Sequence, residues 1–425
     1  MEGNIDISLY FALFAVTVET TFCAFLDKRK FNSWFTPFSV LAFPYLTVIY
    51  LTVFFSVQLG FISASAESIF VWIAGLAVFW LGGRLVRSRH DKNIRLVNLK
   101  DHVKVLTYYV LIPAWIAIIT MIYNVMVNIA TVDGLQEATA GDIFANIHYG
   151  VLSLSKIAGM LFIVILVGTT TRKKYFTNFT IISLIAASVL YQVKGDLLVP
   201  LLGGCIYRSI NYKLHMRWYH GIIIIAMGYV IFNIFYLFLF YSVNRSWMWF
   251  DLESYKYMFH QFMTYLYSGT LSLSYSLAEN DVRKSYDIAP VLFTSLINMF
   301  RHINGTYDLF QPIRVLDYAN LYNSIDLKNF GGDSNVHTFI GTIIMYMGWL
   351  YGLLYIYVLG VFSYVLYIYS KINIWIGMVY SLIAGALFFG WFEYYYWHSF
   401  FILTITCVGI LAGIYSLFNS KHRIR

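Results

Sequence analysis

The chain reads as an all-α polytopic membrane protein with about eleven transmembrane helices and one large outer loop that contains amphipathic helices. Three observations predict this. The chain is 60% hydrophobic and only 12% charged, where a soluble domain carries about 25% charged residues. Its mean hydropathy is +0.67, and apolar runs of spanning length, roughly 17–25 residues each, recur along it. One segment, from about Val243 to His337, breaks the pattern and holds no such run.

The apolar runs fall near 7–26, 38–59, 67–83, 105–124, 149–170, 176–193, 197–210, 219–241, 339–369, 374–391 and 399–417. The run at 197–210 is short and contains Gly203-Gly204, so a tilted or partly re-entrant segment is expected there. The run at 339–369 is too long for one helix, and its first turns are expected at the membrane surface. The opening sequence MEGNIDISLY lacks a basic stretch and leads into a run of spanning length, so no cleavable signal peptide is expected. The division that follows is an N-terminal bundle over 1–241, an extracytoplasmic loop over 242–338, and C-terminal helices over 339–425.

Basic residues set the orientation. Most of the 29 Lys and Arg fall in alternate connections: Lys28 to Lys30, Arg84 to Lys104, Arg172 to Lys174, Arg208 to Arg217, Lys371, and the tail from Lys421. Those connections face the cytoplasm, which puts the N-terminus and the large loop (periplasmic in a two-membrane cell) outside the cytoplasmic membrane and the C-terminus inside. The net charge of +8 is therefore topological. It faces anionic lipid and gives a nucleic-acid partner little support. The three cysteines, Cys23, Cys205 and Cys407, lie in or near apolar spans without a CxxC pair, so neither a disulfide framework nor a thiolate metal site is expected. The 36 Tyr and 36 Phe read mostly as interfacial belt and packing residues, with a minority lining a site.

Charges inside or beside the bilayer are costly and therefore informative. Lys194-Gly195-Asp196 is expected as a tight outer turn between two spans. It is either a cationic seat for a phosphate or an interfacial hairpin whose Lys snorkels and whose Asp caps the next helix. Glu19 and Lys156 fall within spans and read as a buried pair or as lining a water-filled cavity. Glu393 and His398 bracket the aromatic outer turn WFEYYYWH, which reads as an interfacial anchor before it reads as a site.

Within the large loop, Pro290 suits the first turn of an amphipathic helix with Leu292, Leu296 and Met299 on one face and Arg301-His302 at its end. Arg301 either complements the helix terminus or meets a ligand. Arg314 and Arg245 are further candidates for a negatively charged ligand, since guanidinium matches phosphate. The loop closes on Gly331-Gly332-Asp333-Ser334-Asn335-Val336-His337-Thr338. That run delivers polar side chains where the chain returns to the bilayer, and a histidine there suits a base at neutral pH.

These residues resemble the oligosaccharide repeat-unit polymerases, the Wzy-type O-antigen and capsule polymerases, which are similar in architecture to the O-antigen ligases. The resemblance rests on topology over most of the chain and on two short signatures. One is a basic residue followed by Gly at an outer helix turn, here Lys194-Gly195, with Lys where Arg is usual. The other is Asn-x-x-Thr, then apolar residues and Gly-x-x-x-Gly, here Asn335 to Thr338 and Gly348 to Gly352. The ligases carry a His near this point, where polymerases often have an aromatic residue.

The resemblance implies a metal-independent membrane glycosyltransferase with no cofactor. It would act on undecaprenyl-diphosphate-linked oligosaccharide at the outer face, with a chain-length regulator as a further partner. Lys194, with Asp196 beside it, and Arg245, Arg301 or Arg314 would seat the diphosphate. His337 or Asp333 would activate the acceptor hydroxyl, and Asn335 and Thr338 would orient the sugar or the returning helix. The chemistry fits: a lipid diphosphate is already a good leaving group, so the protein need only hold charge and supply one base.

Rival readings are an O-antigen ligase or another lipid-linked glycan transferase, a lipid-linked oligosaccharide flippase, and a scaffold subunit. A flippase gains nothing from a large one-sided loop and tends to show two similar halves, which are not seen in this sequence.

Overall fold

The computed structural model describes residues 7–86, 110–124, 126, 154–169, 175–190, 194–212, 228–230, 232–234, 252–279, 292–303, 319–323, 333–334 and 336–422. They are almost entirely helical. In order they form α1 (Ile7–Phe31), α2 (Pro37–Phe55), α3 (Ala66–Leu85), α4 (Val110–Asn124), α5 (Leu154–Thr169), α6 (Tyr175–Leu190) and α7 (Lys194–Tyr212). Then come α8 (Leu252–Ala278), α9 (Thr294–Ile303), the short strands β1 (Ala319–Asn320) and β2 (Asp333–Ser334), α10 (Phe339–Ser370), α11 (Ile374–Phe388) and α12 (Ser399–His422). Among the described residues, five helices are long and apolar enough to cross a membrane: Ile7–Phe31, Pro37–Phe55, Ala66–Leu85, Phe339–Ser370 and Ile374–Trp391. The chain is a multi-pass membrane protein. Of the spans expected from sequence, the one at 219–241 lies almost wholly outside the described residues.

Contacts group the chain into two units. The first comprises Met1–Asp91, Met263–Tyr369 and Ala386–Ile402, and the second comprises Lys92–Phe262, Ser370–Gly385 and Leu403–Arg425.

In the first unit, α1 turns a face of Leu13, Val16, Thr20, Cys23, Asp27 and Phe31 inward at helical spacing. It ends at Asn32, which takes the left-handed conformation (φ 52°) and donates its N–H to the Lys28 carbonyl at 2.8 Å. Helix α2 starts on Pro37, with Thr36 as N-cap bonded to the Ser39 N–H at 3.4 Å. Helix α3 starts on an equivalent Ser65 cap, 3.2 Å from the Ser68 N–H. The last carbonyls of α3 and of the turn beyond it, Arg84 and Val86, receive the Lys30 ammonium at 3.1 and 2.8 Å. Asp27, only 1% exposed, accepts from Trp80 Nε1 at 3.1 Å and from the Tyr364 hydroxyl. One carboxylate thus ties α1 to α3 and α10. Truncating it would leave the half-buried Trp80 N–H without this acceptor, at about 1–3 kcal/mol.

Helix α10 is not one rod. Gly348 sits at φ 71°, a conformation that costs an L-residue strain, and the helix breaks there. In a straight helix residues eight apart are separated by about 12 Å. A Cβ on Gly352 would nonetheless come within 3.3 Å of Ile344 Cα, so the two halves fold back on each other. The first half is buried in this unit, with Phe339, Ile340, Ile343 and Ile344 at most 1% exposed and Ile340 packed on Gly75 of α3.

The second unit holds α5 packed chiefly on α7, and α7 against the first part of α11. The 197–210 run, expected to be short and interrupted, is part of a continuous helix of 19 residues. Its glycines serve close packing: a methyl on Gly203 would overlap the Ser381 carbonyl, and one on Gly385 the Val199 carbonyl. Without a hydrophobic driving force in lipid, such small residues are what let helix backbones approach.

Candidate functional site

The large interspan segment is folded onto the first unit by three contacts. Its short ribbon pairs Ala319 with Ser334 and Asn320 with Asp333. The chain beyond β1 continues onto the α2–α3 connection, where Ile62 donates to the Leu321 carbonyl at 2.8 Å and Asn323 to the Gly60 carbonyl at 2.9 Å. Tyr322 stacks on Phe61 at 4.6 Å, and its hydroxyl shares a 2.9 Å bond with Thr264 of α8.

The second contact is α8 itself. Sequence hydropathy concealed this 27-residue helix inside the loop. It carries Ser268, Thr270, Ser272, Ser274 and Ser276, a hydroxyl at every second position. On a helix that spacing distributes them around the axis, yet all five are at most 4% exposed. Part of the polarity is absorbed locally: Ser274 Oγ lies 2.9 Å from the Thr270 carbonyl, 3.0 Å from Ser68 Oγ and 3.0 Å from the Ser65 N–H that it accepts. Tyr267 meets Phe61 edge-on at 5.3 Å, and Ser274 meets Ser65 and Ser68. Seven residues of helix, about 10 Å, therefore cross the mouth of the α2–α3 hairpin. Burial pushes the Tyr267 phenol up to about 12 and holds His260, further back on α8, below its usual value.

Where α8 ends, it meets the polar run that closes the loop. His337 is 2% exposed, and its Nε2 shares a 2.9 Å hydrogen bond with Ser276 Oγ. Its carbonyl accepts from Thr342 Oγ1 at 3.0 Å. Thr338, fully buried, accepts from Trp72 Nε1 at 2.9 Å and from the Gly341 N–H at 3.1 Å. Trp72 in turn stacks face to face on Tyr45 at 3.7 Å, a contact worth about 0.5–1.5 kcal/mol beyond burial. Ser276, Trp72 and Thr342 were not singled out from sequence. The regular hydroxyl spacing of 268–276 was the available signal.

The third contact is the aromatic turn between α11 and α12. A Cβ on Gly269 of α8 would meet Phe392 Cα at 3.1 Å, and Ser295 of α9 donates to the Trp397 carbonyl. The turn therefore lies against the loop helices. Within it Glu393, 7% exposed, accepts from Trp397 Nε1 at 3.1 Å and pairs with His398 Nε2 at 3.0 Å. The imidazole lies 5.4 Å, ring to ring, from each of Tyr395 and Phe400. Tyr394 packs on Phe339 and shares a 2.8 Å bond with Tyr355.

Lys194 was expected in a turn, with Asp196 as a possible cap. Helix α7 instead begins at Lys194, so Gly195 and Asp196 lie in its first turn and Asp196 does not cap it; the Lys194 and Asp196 side chains lie outside the description. Arg301 is half-exposed near the end of α9, which is described from Thr294; Pro290 lies outside the described residues. Asp333 is described by its backbone in β2. Arg245, Arg314 and Asn335 lie outside the described residues. Glu19 has both carboxyl oxygens shielded without a hydrogen-bond partner among the described residues, and the Lys156 side chain lies outside them.

Helical spans and an interspan segment folded onto them define a multi-pass membrane protein with a polar, aromatic-walled region at one set of helix ends. The chain belongs to DUF6337, a family of unknown function, whose model matches residues 60–423. No curated protein and no solved structure matches the chain.

Proposed function

We propose that the chain is an oligosaccharide repeat-unit polymerase of the cytoplasmic membrane. It has about eleven spans, with the N-terminus and the large loop outside and the C-terminus in the cytoplasm. It joins undecaprenyl-diphosphate-linked repeat units at the outer face, as the Wzy-type resemblance implies. One observation carries the reading most: the loop is not a tether but a folded cap, whose α8, α9 and ribbon set imidazoles and aromatic rings beside the helix ends. A lipid-anchored sugar presents its reacting bond at that level. Lys194, Arg245, Arg301 and Arg314 are the sequence candidates for neutralising the diphosphate, and a helix start such as that of α7 favours anions. His337 or Asp333 is the sequence candidate for the base, with Asn335 and Thr338 holding the returning chain.

A second reading, an O-antigen ligase, is favoured by the histidine at the point of return, His337. Deleting the chain separates the two. Loss of a polymerase leaves single repeat units on the lipid carrier, whereas loss of a ligase leaves long polymer on it. Under the polymerase reading, Lys194→Ala and Arg301→Ala shorten or abolish the glycan ladder on a gel. A ladder of wild-type length in both variants removes those residues from the site.

A further inference from the structure

Among the described residues Glu393 and His398 form a carboxylate–imidazole pair, at 3.0 Å. A base must touch the hydroxyl it deprotonates. The His398 side chain is 29% exposed, whereas that of its partner Glu393 is 10% exposed and further fixed by Trp397 Nε1 at 3.1 Å. His337 is 2% exposed and engages a serine. A buried carboxylate behind a reachable imidazole fixes the ring's tautomer and orientation and stabilises the imidazolium once formed. Here Nε2–H points to Glu393, which leaves the Nδ1 lone pair to accept a proton. Trp397 and Phe400, whose rings lie 6.3 and 5.4 Å from the imidazole, are half-exposed, and exposed aromatic faces suit the apolar face of a sugar. The turn also lies against α8 and α9, on the side of the large loop.

We propose that His398 is the base that activates the acceptor sugar hydroxyl, with Glu393 as its positioning residue and Trp397 and Phe400 as the sugar wall. This rests on the polymerase reading and reassigns its base. His398 Nδ1 takes the hydroxyl proton as the sugar oxygen forms a bond to the anomeric carbon of the glycan on the lipid diphosphate. The bond from that carbon to the diphosphate oxygen breaks, and the diphosphate departs with the electron pair. The imidazolium then returns its proton to the departing diphosphate or to solvent.

The test uses membranes from cells making the full chain, supplied with single-unit lipid extracted from cells lacking it. His398→Ala is expected to lower polymer formation at least 100-fold, and added imidazole to restore it at least 10-fold. Glu393→Gln is expected to lower kcat with KM for the lipid unchanged. If His398→Ala fails to accumulate, His398→Gln takes its place: it keeps a donor for Glu393 but cannot take the proton, so full activity in that variant overturns the proposal. Wild-type rates in His398→Ala also overturn it. So does a loss that imidazole does not relieve at wild-type protein level, or imidazole rescue of His337→Ala instead. Equal polymer from membranes lacking the chain sinks the polymerase reading itself.

Discussion

Two histidines of the first unit make nearly the same bond and sit in opposite circumstances. His337 meets a serine hydroxyl at 2.9 Å behind a helix, and His398 meets a carboxylate at 3.0 Å on a turn that solvent reaches. Each bond holds an imidazole still. The first holds two chain segments together, α8 and the returning strand-to-helix run, 61 residues apart in sequence. The second holds a ring that solvent reaches. Partner and access, not residue type, separate the anchoring histidine from the one proposed as the base.

The sharpest way to break this contrast is to truncate each ring and measure stability and turnover separately. His337→Ala leaves a cavity and an unpaired Ser276, and is expected to cost about 3 kcal/mol, read as a lower unfolding temperature of the detergent-solubilised chain. His398→Ala removes a partly exposed ring and leaves the buried Glu393 carboxylate its bond from Trp397 Nε1, so a smaller cost of about 1–2 kcal/mol is expected. Equal destabilisation by the two would erase the distinction. Thr338→Val, which keeps shape but strands Trp72 Nε1 and the Gly341 N–H, is expected to fall below His337→Ala. About 1–3 kcal/mol should be lost, with the Trp72–Tyr45 stack retained. If Thr338→Val is neutral, the tie between α3 and the returning chain is not a support of the His337 region.

The smallest effect expected is on acid stability. Burial lowers the His260 pKa in the folded state, so the unfolded chain binds the proton more readily. His260 therefore contributes stability above the unfolded value of about 6.5, and that contribution is lost as pH falls through the depressed folded value. His260→Asn should shallow the decline in stability as pH falls below about 6.5. An unchanged slope would remove His260 from the acid response.

Much of the fold was legible because bilayer spans are spelled out by apolar runs, and those at α1, α2, α3, α10 and α11 need no tertiary information. The break in the long run at 339–369 was legible as excess length, though not its burial, which depends on Gly75 opening space for Ile340. Helix α8 was hidden because a hydropathy window counts each hydroxyl as polar, while Ser274 bonds back to its own helix and across to Ser65 and Ser68. The start of α7 was missed because Gly195 reads as a turn residue, although a glycine is tolerated in a first helical turn. For the site, Glu393 and His398 were visible as brackets of an aromatic turn. Their pairing, and the docking of α8 and α9 beside them, are long-range facts that spacing along the chain does not encode.

Polymer formation by the chain alone tests the central claim most directly. The full-length protein, purified and returned to lipid vesicles, would be given single repeat units on undecaprenyl diphosphate and the products run on a gel. The account predicts a ladder of multiples with undecaprenyl diphosphate released for each bond made. Single units left intact, in vesicles where the protein is folded and correctly inserted, would contradict it.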